Sequence, residues 1–308
     1  MNLITRSDFD GLACAALLEE AGIIDNYTFV HPKDVQDGKV QVTTNDVLAN
    51  VPFVPGCGLW FDHHSSEEER LKMMAEVMYK GCSRPSPSCA RVIYDYYGGA
   101  DRFKKFDDNG LMRAVDKSDS GDLTREEILH PAGWILLSFI MDARTGLGRY
   151  RDYRISNLQL MRDMIAYCRT LSMEQIMELP DVKERIRRYF TQEHEYETML
   201  RNHTRADGNV IIIDLRDVDE ILSGNRFIEY VLFSEQNVSL RVIWGKMKQN
   251  VVFTVGHSIT NRTCKTNVGS LMLRYGGGGH HAVGTCQVPT EDAEESLKAI
   301  ITQLKANC

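Results

Sequence analysis

The feature that most constrains this chain recurs through its first third: a short apolar run that stops at acidic or histidine residues. In NLITRSDFDGLACAALLEEAG (residues 2–22) the run is followed by a glycine and then by helical apolar spacing closed by Gly22, so it reads as strand, loop and helix. DVLANVPF (46–53) and GLWFDHH (58–64) read as further strands, and SCARVIYDYYGG (88–99) as a helix opened near Ser86 or Ser88. Strands alternating with helices build an open parallel α/β sheet, whose ligands bind outside the carboxyl ends of the strands. The acids and histidines of this chain stand at those ends.

The pattern then changes twice. Residues 131–203 are helical and increasingly charged, ending in VKERIRRYFTQEHEYETMLRN, whose Arg and Glu spacing suits a long exposed helix. After Gly208, NVIIIDL, SLRVIWG and NVVFTVGHS read as strands, with VGSLMLRYG and EDAEESLKAIITQLKA as helices. The expected organisation is α/β throughout: a parallel-sheet domain over 1–190 with helices on both faces, a helical linker over 191–207, and a smaller mixed α/β domain over 208–308.

Composition excludes several classes. The 308 residues are 43% hydrophobic, enough for packed cores, yet no stretch approaches eighteen continuous apolar residues and no basic, apolar, small-residue leader opens the chain. It is read as cytoplasmic, without membrane association. A formal net charge of −7 argues against a long nucleic-acid groove, which needs a basic face to neutralise many phosphates, but leaves room for a small anionic ligand. Eight scattered cysteines, with no C-x-x-C pair, offer no zinc framework.

Four constellations carry chemistry. Asp8 and Asp10 leave one loop at alternate positions and can direct two carboxylates at a divalent ion or a water; they are equally suited to stabilise a helix N-terminus. Asp62, His63 and His64 follow a strand on which neighbours point to opposite sides, so one histidine can ligate a metal while the other reaches substrate. In RAVDKSDSGD, Asp116 ends an apolar-containing helix, with Asp119 and Asp122 after it in what is otherwise a solvated acidic turn. YGGGGHHAVG (275–284) places four glycines before His280, a run able to form an anion-binding nest of backbone amides, with Arg262 and Lys265 upstream as phosphate contacts or solvated charges.

In this order the four elements resemble the DHH phosphoesterase superfamily with its associated C-terminal domain, across essentially the whole chain. The likeness is strongest to exopolyphosphatase-related and oligoribonuclease-like members. The resemblance implies an active site in the cleft between the two domains. It implies hydrolysis of a phosphodiester or phosphoanhydride in a small substrate: a short oligonucleotide, a cyclic dinucleotide, a nucleotide or polyphosphate. It further implies Mn²⁺, with Mg²⁺ or Co²⁺ as substitutes, held by Asp8, Asp10, His63 and Asp116. Asp62 would orient these ligands and His64 would contact substrate. Arg262, Gly277, Gly278, Gly279 and His280 would hold the substrate's phosphates or terminal nucleotide. Short single-stranded oligonucleotides are the largest nucleic acids this admits, and a homodimer is compatible with it.

The sequence departs from that family at two positions. Arg6 stands where the first motif, H-x-D-x-D-G, has a metal-binding histidine, and Asn50 stands where an aspartate is expected to bridge two ions. Guanidinium has no lone pair to offer a metal, and a neutral carbonyl bridges two cations poorly. The charges balance: one divalent ion fewer removes two, while arginine for histidine and asparagine for aspartate each restore one. The expectation is therefore one ion rather than two, with Arg6 supplying the missing charge and Asp8 paired with it or completing the shell. A phosphate-binding protein impaired in catalysis fits the same substitutions, and Asp46, four residues before Asn50, could return a carboxylate to the site in another register.

Overall fold

A computed structural model describes residues 1–74 and 77–307. The chain divides into two compact units, residues 1–123 with 130–191 and residues 124–129 with 192–308. The division falls inside the helix Pro180–Asn202.

The first unit is built on a parallel sheet of five strands, β1 (Asn2–Arg6), β2 (Asn26–Val30), β3 (Asp46–Ala49), β4 (Leu59–Asp62) and β5 (Gly81–Ser83), in the order β2-β1-β3-β4-β5. The three strands expected from their apolar runs are its centre, and β2 and β5 are its edges. Side chains alternate across the sheet. Ile4, Leu48 and Trp60 are opposite one another in register and pack on one face with Val35 and Leu71, from the helices Pro32–Gln36 and Ser65–Lys72. The other face meets the helices Phe9–Glu20 and Cys89–Tyr96. Every residue from Phe9 to Leu18 is buried, so this helix is apolar all round, as an element enclosed by a core must be. It ends where expected, with Gly22 at φ 68° satisfying a turn that L side chains resist.

Register sets the site. Thr5 lies opposite Ala49, and Ala49 opposite Phe61, so Arg6, Asn50 and Asp62 come level at the carboxyl ends of three adjacent strands. Asp46 begins β3 and therefore lies at the other end of the sheet. Its carboxylate accepts from Asn2 Nδ2 at 2.9 Å, Thr43 N at 2.7 Å and Thr43 Oγ1 at 2.8 Å. It secures the strand's start and returns no carboxylate to the site.

The second unit carries a mixed sheet of β6 (Thr204–Asp207), β7 (Val210–Asp214), β8 (Val238–Trp244), β9 (Asn250–His257), β10 (Gly278–Gly279) and β11 (Val283–Pro289), in the order β10-β11-β9-β8-β7-β6. Only β7 and β8 run parallel. The helices Val268–Leu273 and Ala293–Asn307 close its core through Val268, Leu271, Met272, Ile300 and Leu304, packed with Leu240, Phe253 and Val255. The short helix Arg125–Leu129 belongs to this unit, where Asn225 Nδ2 donates to Ile128 O at 3.0 Å. Among the described residues no helix is long and apolar enough to cross a membrane.

Candidate functional site

Asp8 and Asp10 leave β1 in opposite directions of duty. Asp8 caps the helix Phe9–Glu20: its Oδ1 accepts from Gly11 N at 2.9 Å and from Asn50 Nδ2 at 3.2 Å, while its Oδ2 meets Arg6 Nε at 2.9 Å. Both oxygens are thus engaged by donors of the chain itself. Asn50 adopts φ 56°, a left-handed conformation that asparagine tolerates, and this turn aims its amide at Asp8 where an aspartate would repel it. Gly11 follows from the same close packing, since a Cβ there would lie 2.0 Å from Arg6 O.

Asp10 is 2% exposed and turns into the protein. Its Oδ1 accepts from Ala90 N at 2.8 Å and its Oδ2 from Cys89 N at 2.9 Å, the first two amides of the helix Cys89–Tyr96. Charge-assisted bonds at a helix N-terminus favour a carboxylate. Burial nevertheless dominates and, with the neighbouring Asp119 carboxylate, pushes Asp10 up to about 8.

His63 lies against the same carboxylate. Its Nε2 is 3.7 Å from Asp10 Oδ2 and 3.2 Å from Asp119 Oδ2, and its Nδ1 is 3.1 Å from Ser86 O. A backbone carbonyl at Nδ1 fixes the proton there and points Nε2 at the acids, the arrangement of a metal-ligating histidine. Burial works against protonation of this ring, but Asp119, Asp10 and Asp62 outweigh it and hold His63 above its ordinary value. His64 takes another partner: its Nδ1 is 2.8 Å from Asp62 Oδ1, and its backbone N donates to Asp62 Oδ2 at 3.2 Å. Burial raises Asp62 to about 7, and burial together with His63 and Arg6 pushes His64 down to about 3. His64 is therefore a neutral ring held in place by Asp62.

Donor atoms of Asp10, His63 and Asp119 lie within 4.8 Å of one another. Carboxylate and imidazole together suit a divalent ion of the manganese type. The fit is also electrostatic, because a buried aspartate pushed towards neutrality by another acid is relieved when a cation arrives.

Asp116 is not in this cluster. Three residues before Asp119 on the helix Leu111–Ser120, it accepts from Arg91 Nε at 2.9 Å, Arg91 Nη2 at 2.7 Å and Ser88 Oγ at 2.7 Å. Ser88 in turn caps the helix whose first amides hold Asp10. The two acids share a helix and differ in what the helix packs them against; the family resemblance points to Asp116 as the ligand, the structure brings Asp119 to His63, and the i, i+3 spacing is the one sequence signal that weighs them equally.

In the second unit the glycine run is shaped by packing. The amides of Gly276, Gly277 and His280 donate to Leu273 O, Met272 O and Val283 O at 3.0, 3.0 and 2.7 Å. The carbonyls of His280 and His281 accept from Gly269 N and Val268 N, each at 2.8 Å. A Cβ on Gly277 would lie 2.0 Å from Thr285 O, and one on Gly279 would lie 2.2 Å from Val283 O. The run thus packs tightly against β11 and the helix Val268–Leu273, and these three amides are not open to an anion as a nest requires. Arg262 is exposed, with Nε donating to Ile259 O at 3.2 Å.

Neither a protein-family model nor a curated protein matches the sequence. Among solved structures, the chain is similar to PggH from Vibrio cholerae, a pGpG-specific phosphodiesterase, with 45% identity, TM-score 0.77 and coverage of 100% of this chain and 99% of that one. It shares its fold with a DHH-domain member of the s1p family of ribosomal proteins, at 14% identity and TM-score 0.56, covering 98% of this chain and 85% of that one. An exopolyphosphatase-related protein from Bacteroides fragilis shares it too, at 11% identity and TM-score 0.55, covering 99% and 92%. With a parallel sheet that presents its acids and histidines at the strand ends, and with that likeness over its full length, the chain belongs to the DHH superfamily and is a phosphoesterase.

Proposed function

We propose that this phosphoesterase hydrolyses pGpG, the linear 5′-phosphorylated diguanylate, adding one water across its phosphodiester to give two guanosine 5′-monophosphates. The observation that carries the reading is the 45% identity, end to end, with a phosphodiesterase specific for that dinucleotide. The acidic balance of the chain agrees with a small substrate in preference to a polymer.

Asp10, His63 and Asp119 would hold one divalent ion, Mn²⁺ before Mg²⁺ or Co²⁺. Such an ion supplies Lewis-acid polarisation of a phosphoryl group and acidifies a water nucleophile. The chain's own residues do the rest. The two amides of Cys89 and Ala90 orient Asp10, and Ser86 fixes the tautomer of His63. Asp62 orients His64, and burial with the His63 and Arg6 charges keeps that ring neutral, ready to hydrogen-bond to substrate. Arg6, braced by Asp8, provides a permanent positive charge for the phosphoryl oxygens, a role arginine plays in other phosphoryl transfers.

One observation favours a binding protein without turnover: both oxygens of Asp8 are occupied by Gly11, Asn50 and Arg6. The test is turnover and metal content on one sample. Protein loaded with Mn²⁺ is assayed by chromatography against pGpG, GpG, a cyclic dinucleotide and polyphosphate, with bound ion counted by elemental analysis. Guanosine monophosphate from pGpG with a single ion per chain is the expected result. Tight binding of pGpG without product would replace the enzyme by the binding protein.

A further inference from the structure

Arg144 is a basic residue near the acidic cluster that neither the family pattern nor the proposed chemistry uses. It follows the helix Gly133–Met141, whose Ser138 Oγ accepts from Ser118 Oγ at 2.9 Å, so that helix is fastened to the one carrying Asp119 at the neighbouring residue. Asp142 then caps the turn Ala143–Thr145. Its Oδ1 accepts the backbone N of Arg144 at 2.8 Å, and its two oxygens receive Arg144 Nε at 2.8 and 3.1 Å. Thr145 Oγ1 closes the turn on Phe139 O at 2.5 Å. The guanidinium is therefore held from its Nε edge by a rigid turn.

Its other edge is unclaimed. Among the described residues neither Nη of Arg144 has a protein acceptor, and no ion pair within 4.0 Å joins it to Asp8 or Asp119. The side chain is 38% exposed. Loss of water around it works against its charge, yet Asp142 first, and then Asp8 and Asp119, outweigh this and raise its proton affinity, so the guanidinium stands within electrostatic reach of the cluster. Arg6 shows what an arginine does here when its task is to neutralise an aspartate: it makes contact, at 2.9 Å. Arg144 instead pairs with Asp142, the neighbouring carboxylate of its own turn. A fixed planar fork whose charge acts on a group of acids suited to a cation can hold an anion beside them, and phosphate matches that fork through two parallel hydrogen bonds.

We propose that Arg144 binds a phosphate of the substrate through its Nη edge, clamping it against the site formed by Asp10, His63 and Asp119. The proposal rests on the reading of the chain as a pGpG phosphodiesterase. That substrate offers two phosphates of the same chemistry, the scissile diester and the 5′-terminal group, and GpG lacks the second.

The experiment compares wild type with Arg144→Ala, Arg144→Lys and, as a control for general charge, Arg151→Ala. It measures kcat/KM and calorimetric affinity for pGpG and GpG, together with bound Mn²⁺ and thermal unfolding. Arg144→Ala is expected to lower both kcat/KM and affinity for pGpG by at least about tenfold, with Lys recovering only part, because a point charge cannot reproduce a two-bond clamp. Metal content, melting temperature and the Arg151→Ala enzyme stay as in wild type. An equal loss on GpG assigns the clamp to the scissile diester, and a loss confined to pGpG assigns it to the terminal phosphate. Values within about twofold of wild type overturn the proposal, as does a loss accompanied by lower metal content or a lower melting temperature. If wild type binds pGpG without cleaving it, the catalytic reading fails alone and Arg144 is judged on affinity; if it does neither, both fail.

Discussion

Asp119 Oδ2 lies 3.2 Å from Nε2 of His63, while Asp116, on the same helix, is fully engaged by Arg91 and Ser88. The two acids thus have separable tasks. On the proposed one-ion site, Asp119→Asn removes a charged ligand and is expected to weaken Mn²⁺ binding by more than about 100-fold in calorimetric titration. Asp116→Asn acts through Ser88 and the helix that holds Asp10. It is expected to cost about 10- to 100-fold in affinity, the range for groups that orient ligands. The opposite ranking would move the ion to Asp116.

Arg6 and Asn50 engage the two oxygens of Asp8, and on the proposed one-ion site these contacts exclude a second ion. The double substitution Arg6→His with Asn50→Asp returns an imidazole lone pair and a bridging carboxylate, and frees Asp8. Elemental analysis should then find a second Mn²⁺ per chain, with the spin-coupled paramagnetic resonance signal of a manganese pair. An unchanged count would mean that Arg6 does not stand in for an ion.

At the far end of β3, Asp46 tests the same point from outside the site. Partial burial opposes its ionisation, but the bonds from Asn2 and Thr43 prevail and hold it below the unfolded value of 3.8. The folded state therefore binds this proton less readily than the unfolded chain. The resulting stability is present above about pH 4 and is lost as the pH falls through the folded value. Asp46→Ala should destabilise the first unit by about 1–3 kcal/mol at pH 7 and by less in acid, read from urea unfolding at several pH values. Its kcat should remain that of wild type, since no atom of Asp46 belongs to the cluster.

The glycine run predicts a graded response in the second unit. Gly277→Ala drives a Cβ to within 2.0 Å of Thr285 O and 2.7 Å of Cys286, so β10 and β11 must separate. A loss of about 1–3 kcal/mol and a lower melting temperature are expected. Gly276→Ala meets nothing within 4 Å and bears only the strain of φ 73°, about 1 kcal/mol. Equal effects would show that backbone conformation, and not contact, selects glycine here.

Much of this protein is legible in one dimension. Period-2 and period-3.6 apolar spacing, interrupted by acids, identifies the three central strands and the helices Phe9–Glu20 and Cys89–Tyr96, because burial on a sheet or a helix face imposes those periods wherever it occurs. The edge strand β2 is half-exposed and β5 has three residues, so neither leaves a period to read. The segment 124–129 joins the second unit through contacts such as Asn225 with Ile128, which no local pattern encodes.

The sequence by itself determined that Asp8, Asp10, Asn50, Asp62, His63 and His64 gather at one end, since each ends or follows a strand of one parallel sheet and such strands end on one side. Tertiary structure alone decided which acid serves which partner. Asp116 and Asp119 are about 60° apart around their helix. Docking against Ser88 and Arg91 captures the first and leaves the second to His63. The same holds for Arg144, which lies outside the motifs in sequence and follows a helix that Ser138 fastens to the helix of Asp119. Periodicity specifies which face of an element is buried; the partner that face meets depends on packing across the whole unit.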